Sequence, residues 1–387
     1  MPDAARPLYL DHHATTPLDP RVLDAMDPFL RDEFGNAASR THAYGWRAEA
    51  AVESARERIA AALGAEPREI VFTSGATESN NIAVLGAARA RRAHGRDGVV
   101  ALATEHRAVL DPLRALEREG FRAVVLPVGS DGLVDLDRLR DAVDERTALV
   151  SAMAANNEIG VLQPLDAIGA IAREAGAWLH SDAAQAAGRL AFDLAAQPIE
   201  LLSLSGHKLY GPKGVGALFV RARRPRVRPE PIQYGGGHER GLRSGTLPVA
   251  LCVGLARALE LCLAEREAEQ ARLARLRDGL WERLAAELDG VRCNGLGAPR
   301  LAANLSVSIE GVDVDKLLLA LPDLALSTGS ACSSAQPEPS HVLSAIGLPP
   351  RLARASLRFG LGRATSEDDV AYAAARVVEA VRGLRGV

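Results

Sequence analysis

The chain of 387 residues reads as an α/β protein, a large domain with a mostly parallel wound sheet plus a smaller α+β C-terminal domain. Three observations predict this. From about residue 70, short β-branched or apolar runs alternate with longer stretches of helical pattern. Most of those helical stretches lie between two strand-like runs, the rhythm of a sheet wound through crossover helices. Near residue 248 the texture changes to long helices followed by isolated strands. The large domain is expected over residues 15–250, and the small one over 1–14 and 251–387.

Taken in order, "EIVFTS", "GVVALATEH", "RAVVLPV", "TALVSAMA", "AWLHSDAAQ", "IELLSLSG" and "GVGALFV" predict buried strands, being short, apolar and bounded by turn residues. Between them "ESNNIAVLGAARARRAHG" and "PLDAIGAIAREAG" carry helical periodicity. The segment running from "LPVALCVG" to "ERLAAEL" predicts two helices. It is followed by the strand "ANLSVSIEG", a helix around "DVDKLLLAL" and the strand "ARASLRFGLG".

Composition narrows the function classes. With 48% hydrophobic and 25% charged residues the chain can bury a substantial core. Its longest apolar runs are interrupted, as by Pro322 and Asp323 in "KLLLALPDLALS", well before a bilayer would be spanned, so no membrane segment is expected. The few residues before "LYLDHHATTPLDP" lack the apolar stretch of a secretory leader, and the expected location is the cytoplasm. A net charge of −3 offers nothing general to nucleic acid. The five arginines of "VRARRPRVRP" are the local exception; without interleaved aromatics for bases to stack on, they predict a solvated turn. No metal site is expected. Of the four cysteines no pair has C-x-x-C spacing, and disulfides are not expected in a reducing compartment. Cys252 and Cys262 sit in apolar helix, where a cysteine packs as a small hydrophobe. Cys293 sits in a short strand entering a turn, and Cys332 in "LSTGSACSSAQPEPS", a segment of loop character.

In a wound sheet, ligands gather at the carboxyl ends of the strands. Three motifs fall there. "IVFTSGATESNN" passes from strand to helix through Ser74, Gly75, Ala76 and Thr77, offering free backbone N–H groups and a helix N-terminus to an anion such as phosphate; the same residues would also serve as a plain helix cap. It is not a G-x-x-x-x-G-K-[ST] loop, so a nucleoside triphosphate is not the expected ligand. Asp182 ends an apolar strand in "LHSDAAQAAG", where a carboxylate needs a cationic or donor partner: a structural arginine, or a protonated heterocyclic nitrogen. Lys208 follows "IELLSLSG" and projects toward the same edge, and a lysine whose pKa is lowered by burial or charge becomes a Schiff-base nucleophile. An anion cradle, a carboxylate and an amine are what the phosphate, the pyridinium nitrogen and the aldehyde of pyridoxal 5'-phosphate require. His106 in "LATEHRAVLD" sits at another strand-to-helix turn, placed to stack on such a ring and exchange protons there.

"YLDHHATTPLDP", "FTSGATESNN", "TEHRAVL", "NNEIGVLQP", "SDAAQAAG", "SGHKLYGPKGVGAL", "GGGHERGLRSGTLP", "LSTGSACSS" and "SLRFGLGR" together resemble, in order and spacing, the cysteine desulfurases of the NifS/IscS type, from Leu8 to about Arg363. The resemblance implies a pyridoxal-phosphate-dependent transferase fold and a homodimer. It implies conversion of L-cysteine to L-alanine, with the sulfur left as a persulfide on Cys332 and passed to acceptor or scaffold proteins for iron–sulfur cluster assembly or thiolation. It also assigns residues. Lys208 would carry the cofactor, Asp182 pair with its ring nitrogen and Gln185 bond its ring oxygen. Ala76, Thr77, Ser205 and His207 would hold the phosphate, with Thr246 arriving from the second subunit. His106 would stack on the ring, Asn157 would contact the cofactor, and Asn157 and Arg358 would bind the substrate carboxylate, a task suited to a planar guanidinium. The family's pattern is broken at Ala37 and Ala155, neither of which removes a chemical group. The chain stops at "VRGLRGV", without the further tail that some members use to dock a scaffold, so the resemblance leaves the sulfur acceptor open. A related lyase or aminotransferase would share Lys208 and Asp182 but would need no transferable sulfur on Cys332.

Overall fold

The computed structural model describes residues 6–328 and 339–386. In chain order its strands are β1 (Leu8–Tyr9), β2 (Ile70–Thr73), β3 (Gly98–Leu102), β4 (Arg122–Leu126), β5 (Thr147–Ser151), β6 (Trp178–Asp182), β7 (Leu201–Ser205), β8 (Gly216–Val220), β9 (Val291–Cys293), β10 (Asn304–Ile309), β11 (Leu324–Ala325) and β12 (Ser356–Gly360). The large sheet has the order β2-β8-β7-β6-β5-β3-β4. All its neighbours are parallel except those of β8, which runs antiparallel to β2 and β7. That reversal follows from the connection: only "GHKLYGPKGV" lies between β7 and β8, too short for a crossover helix, so the chain turns back beside the strand it left.

Alternate residues of the strands feed two cores. Phe72, Val100, Leu102, Val150, Leu204 and Phe219 face one layer of helices, Pro20–Arg31 and Ala43–Leu63 among them. Val71, Val99, Ala101, Leu149, Leu201 and Leu218 face the other, with the helix Arg107–Arg118. Covered on both faces, these strands read as continuous apolar runs, which is why the sequence exposes them so clearly. The helix after β2 runs Ala76–Asn81, continues as a π-helical stretch Ile82–Gly86 and ends as Ala87–Arg92.

The smaller sheet, β12-β10-β9, is antiparallel and closes a separate core with the helix Glu367–Arg385. β1 pairs in parallel with β11, and Leu10 just beyond it packs into this second core. The two helices expected after residue 248 are one helix of 39 residues, Val249–Glu287. No proline interrupts it, and Gly254 lies where a Cβ would come 2.5 Å from Met26 Sδ. There glycine permits close packing of a continuous helix, rather than ending it. Leu255 and Leu259 belong to the core of the large sheet, and Leu276 and Leu280 to that of the small one.

Cys252 and Cys262 are buried, as their apolar surroundings predict, and Cys293 ends β9. The arginine-rich turn is only partly solvated. Arg221 is buried, lies over the Phe219 ring and donates to the carbonyls of Leu194, Gln197 and Ile199. Among the described residues, no helix is long and apolar enough to cross a membrane.

Candidate active site

A cavity of about 530 Å³ opens at the carboxyl ends of β2, β3, β5, β6 and β7. It is lined by Ala76, Thr77, His106, Asn157, Asp182, Gln185, Ser205, His207, Lys208 and Arg358, all singled out in the sequence. Each is placed by its element. Ala76 and Thr77 form the first turn of the helix after β2. Its N-cap, Gly75, has φ of 150°, a conformation L side chains rarely adopt, and a Cβ there would meet only Ser205 Oγ, at 3.9 Å. The result is an open cradle of backbone N–H groups at a helix N-terminus, facing a hydroxyl.

Asp182 is the last residue of β6 and is 5% exposed. Its Oδ2 accepts from Asn80 Nδ2 at 2.6 Å and its Oδ1 from the Ala184 N–H at 2.9 Å. No lysine, arginine or histidine is ion-paired with it among the described residues, so the structural arginine that would have explained this carboxylate is absent there. Lys208 Nζ donates to the Ala14 carbonyl at 2.8 Å and to that of His13. Beside it, burial and then the charges of Lys208 and Lys213 lower the His207 pKa to about 4, so this ring is neutral.

His106 caps the helix Arg107–Arg118, with Nδ1 accepting from the Ala108 N–H at 3.0 Å. The ring proton is therefore on Nε2. Arg358 reaches in from β12 of the small sheet, its side chain 4% exposed. Nη1 donates to the Asn157 carbonyl at 2.9 Å and Nη2 to Asp11 Oδ1 at 2.7 Å, while Nε, buried, has no partner among the described residues. Thr246 is exposed and does not line the cavity of its own chain. Cys332 lies outside the described residues.

Several neighbours of the site went unassigned in the sequence. Asn80 orients Asp182, Asp11 holds Arg358, and His13 holds Gln185. Glu105 is wholly buried, and burial raises its carboxyl well above the usual range; its Oε1 accepts from the Met153 N–H at 2.6 Å. Burial raises Glu158 to about 7, and it accepts a hydrogen bond from Ser340, the N-cap of His341–Ala345. Both glutamates stand directly beside singled-out residues, in "TEHRAVL" and "NNEIGVLQP". An acidic residue inside an apolar strand-end motif was the available signal.

Comparison with known proteins gives a consistent picture. The family model "Aminotransferase class-V" matches residues 8–372. The mitochondrial cysteine desulfurase of Drosophila melanogaster is 54% identical over 380 residues, 98% of this chain and 82% of that one. The cysteine desulfurase IscS of Anaeromyxobacter sp. (strain Fw109-5) is 53% identical over 379 residues, covering 98% and 93%. Among solved structures a NifS-like protein superimposes with a TM-score of 0.88 at 36% identity, covering 96% of this chain and 98% of that one.

Proposed function

The chain belongs to the class-V aminotransferase family and, within it, to the cysteine desulfurases, and from that premise we propose how its own residues convert L-cysteine to L-alanine and pass the sulfur on as a persulfide. The observation that carries the reading is Asp182, a buried carboxylate with neutral donors only, in one cavity with a strand-end lysine and an open N–H cradle.

The residues fit pyridoxal 5'-phosphate, the cofactor on which this family depends. A protonated ring nitrogen would supply the cation that Asp182 lacks. Ala76, Thr77, Ser205 and His207 would hold the phosphate in the cradle around Gly75, joined by Thr246 of a second subunit in a homodimer. Gln185 would bond the ring oxygen, His106 stack on the ring, and Lys208 anchor the group. When bound, the cofactor supplies an electron sink that makes the substrate Cα–H and Cβ–S bonds labile.

The protein's part is orientation and proton handling. Arg358, fixed by Asp11 and by the Asn157 carbonyl, presents its guanidinium to the substrate carboxylate, and the Asn157 side chain assists. Lys208 moves the proton at Cα. His106 donates through Nε2, the nitrogen its capping role leaves protonated. The Cys332 thiolate attacks the substrate sulfur: an S–S bond forms, the Cβ–S bond breaks, and the carbon is protonated to give L-alanine. A thiol of ordinary pKa is only about 3% thiolate at pH 7, so proton transfer from Cys332 is part of this step.

We place the enzyme in the cytoplasm, delivering sulfur to an acceptor or scaffold protein for iron–sulfur cluster assembly or thiolation. The large cofactor-binding domain would span 15–250, and the small domain, 1–14 with 251–387, would carry Cys332, with the first half of the helix Val249–Glu287 packed into the large domain's core. Mass spectrometry tests the assignment on two aliquots. Borohydride reduction should leave the cofactor on the Lys208 peptide. L-Cysteine without reductant should add one sulfur atom to the Cys332 peptide, and Cys332→Ser should bind cofactor yet release no alanine. Cofactor on Lys213, or full alanine release by Cys332→Ser, would overturn it.

A further inference from the structure

The Gln185 side chain is held from three sides. Its Nε2 donates to the His13 carbonyl at 2.9 Å, its Oε1 accepts from Arg189 Nη1 at 3.1 Å, and Oε1 lies 3.0 Å from His13 Nδ1. An arginine can only donate, so the atom it meets is the amide oxygen, and the atom against the His13 carbonyl is the nitrogen. His13 Nδ1 therefore faces an acceptor at 3.0 Å, the shorter of the two acceptor contacts made by the ring. The ring is 1% exposed and lines the cavity. Burial and the charges of Arg189, Arg358 and Lys208 hold its pKa well below the ordinary histidine value, so at pH 7 it is a neutral donor through Nδ1. Its other nitrogen also faces an acceptor, the Ala303 carbonyl, but at 3.3 Å, so the single proton of the neutral ring is assigned to Nδ1 on its shorter contact.

Two donors converging on one amide oxygen polarise the amide and strengthen donation from its nitrogen. They also stop the carboxamide from flipping. We propose that His13 is a positioning residue of the cofactor site, locking Gln185 together with Arg189 so that the remaining Nε2–H is kept for the ring oxygen of the bound cofactor. This rests on the function proposed above, and it goes beyond it in giving a task to a histidine of "LDHHATTP" that had none.

The test is titration of cofactor-free protein with pyridoxal 5'-phosphate, followed by absorbance across pH, for the wild type, His13→Phe and His13→Asn. Phe keeps the bulk and removes the donor; Asn keeps a donor. His13→Phe should bind the cofactor about fivefold more weakly, the equivalent of one lost hydrogen bond, and shift the pH at which the bound chromophore changes its absorption. His13→Asn should recover most of both. If the wild type forms no bound chromophore, the functional reading falls and this inference with it. If the wild type binds but His13→Phe matches it in affinity and pH profile, only this inference falls. It falls also if Phe and Asn are equally impaired, since packing alone would then explain the loss. Should His13→Phe fail to fold, His13→Leu takes its place in the same comparison.

Discussion

A carboxylate as deeply placed as Asp182 is an unfinished interaction in the protein alone. Its two donors, Asn80 and the Ala184 N–H, are neutral, and a buried charge without a counter-charge costs several kcal/mol. Completing it calls for a cation, and none is ion-paired with it among the described residues. Asp182→Asn should therefore fold at least as stably as the wild type and bind cofactor partly, while turnover falls by a factor on the order of 10² or more, because an amide cannot hold a pyridinium protonated. Near-normal turnover, measured as alanine released from L-cysteine, would make Asp182 merely structural. The strand-end residues were legible in sequence because each follows an apolar run and precedes turn chemistry. Their supporting partners were not. His13 and Gln185 are 172 positions apart and Asn80 and Asp182 are 102 apart, and nothing local in either stretch marks the contact.

The elements themselves were easier to read, because strands covered on both faces carry no polar alternation to confuse the pattern. The exceptions have physical causes: tertiary packing carries one long helix through Gly254, and Arg221 is drawn inward by carbonyls at the ends of neighbouring elements. Within the sheet, a polar rung crosses three strands. Ser151 Oγ on β5 lies 2.8 Å from His180 Nδ1 on β6, whose Nε2 lies 3.0 Å from Ser203 Oγ on β7. His180 stands two residues before Asp182 and is wholly buried, and burial lowers its pKa from 6.5 to about 4. The unfolded chain then binds more protons than the folded one between these values, so this contribution is full above pH 6.5 and is lost as pH falls toward 4. It amounts to about 3 kcal/mol. Urea unfolding of His180→Asn at a series of pH values should show a shallower loss of stability across that window than the wild type. Equal slopes would assign the acid sensitivity elsewhere, with His207 the next candidate.

At the scale of the whole molecule, the cavity is a joint product of two sheets. Seven of the assigned residues sit at or just beyond the ends of β2, β6 and β7, while the guanidinium that completes it comes from β12. Glu158 beside the cavity-lining Asn157 is bonded to Ser340, the cap of a helix that follows the cysteine segment in sequence, so the two parts also meet next to the cavity. The helix Val249–Glu287 adds a different kind of link, because its halves are buried in different cores. A rod of this length cannot melt at one end without withdrawing support from the other, and this couples the two parts thermodynamically. Calorimetry should accordingly show one heat-absorption peak, with calorimetric and van't Hoff enthalpies in agreement. Leu280→Ala, which opens a hole only in the smaller core at a cost of about 2–5 kcal/mol, should move that single peak to lower temperature as a unit. Two resolved peaks, one of them unmoved, would mean that the halves melt separately. A cooperative rod of this kind makes heat tolerance a property of the entire chain: a defect far from the cavity in the smaller core lowers the temperature at which the cavity itself is lost.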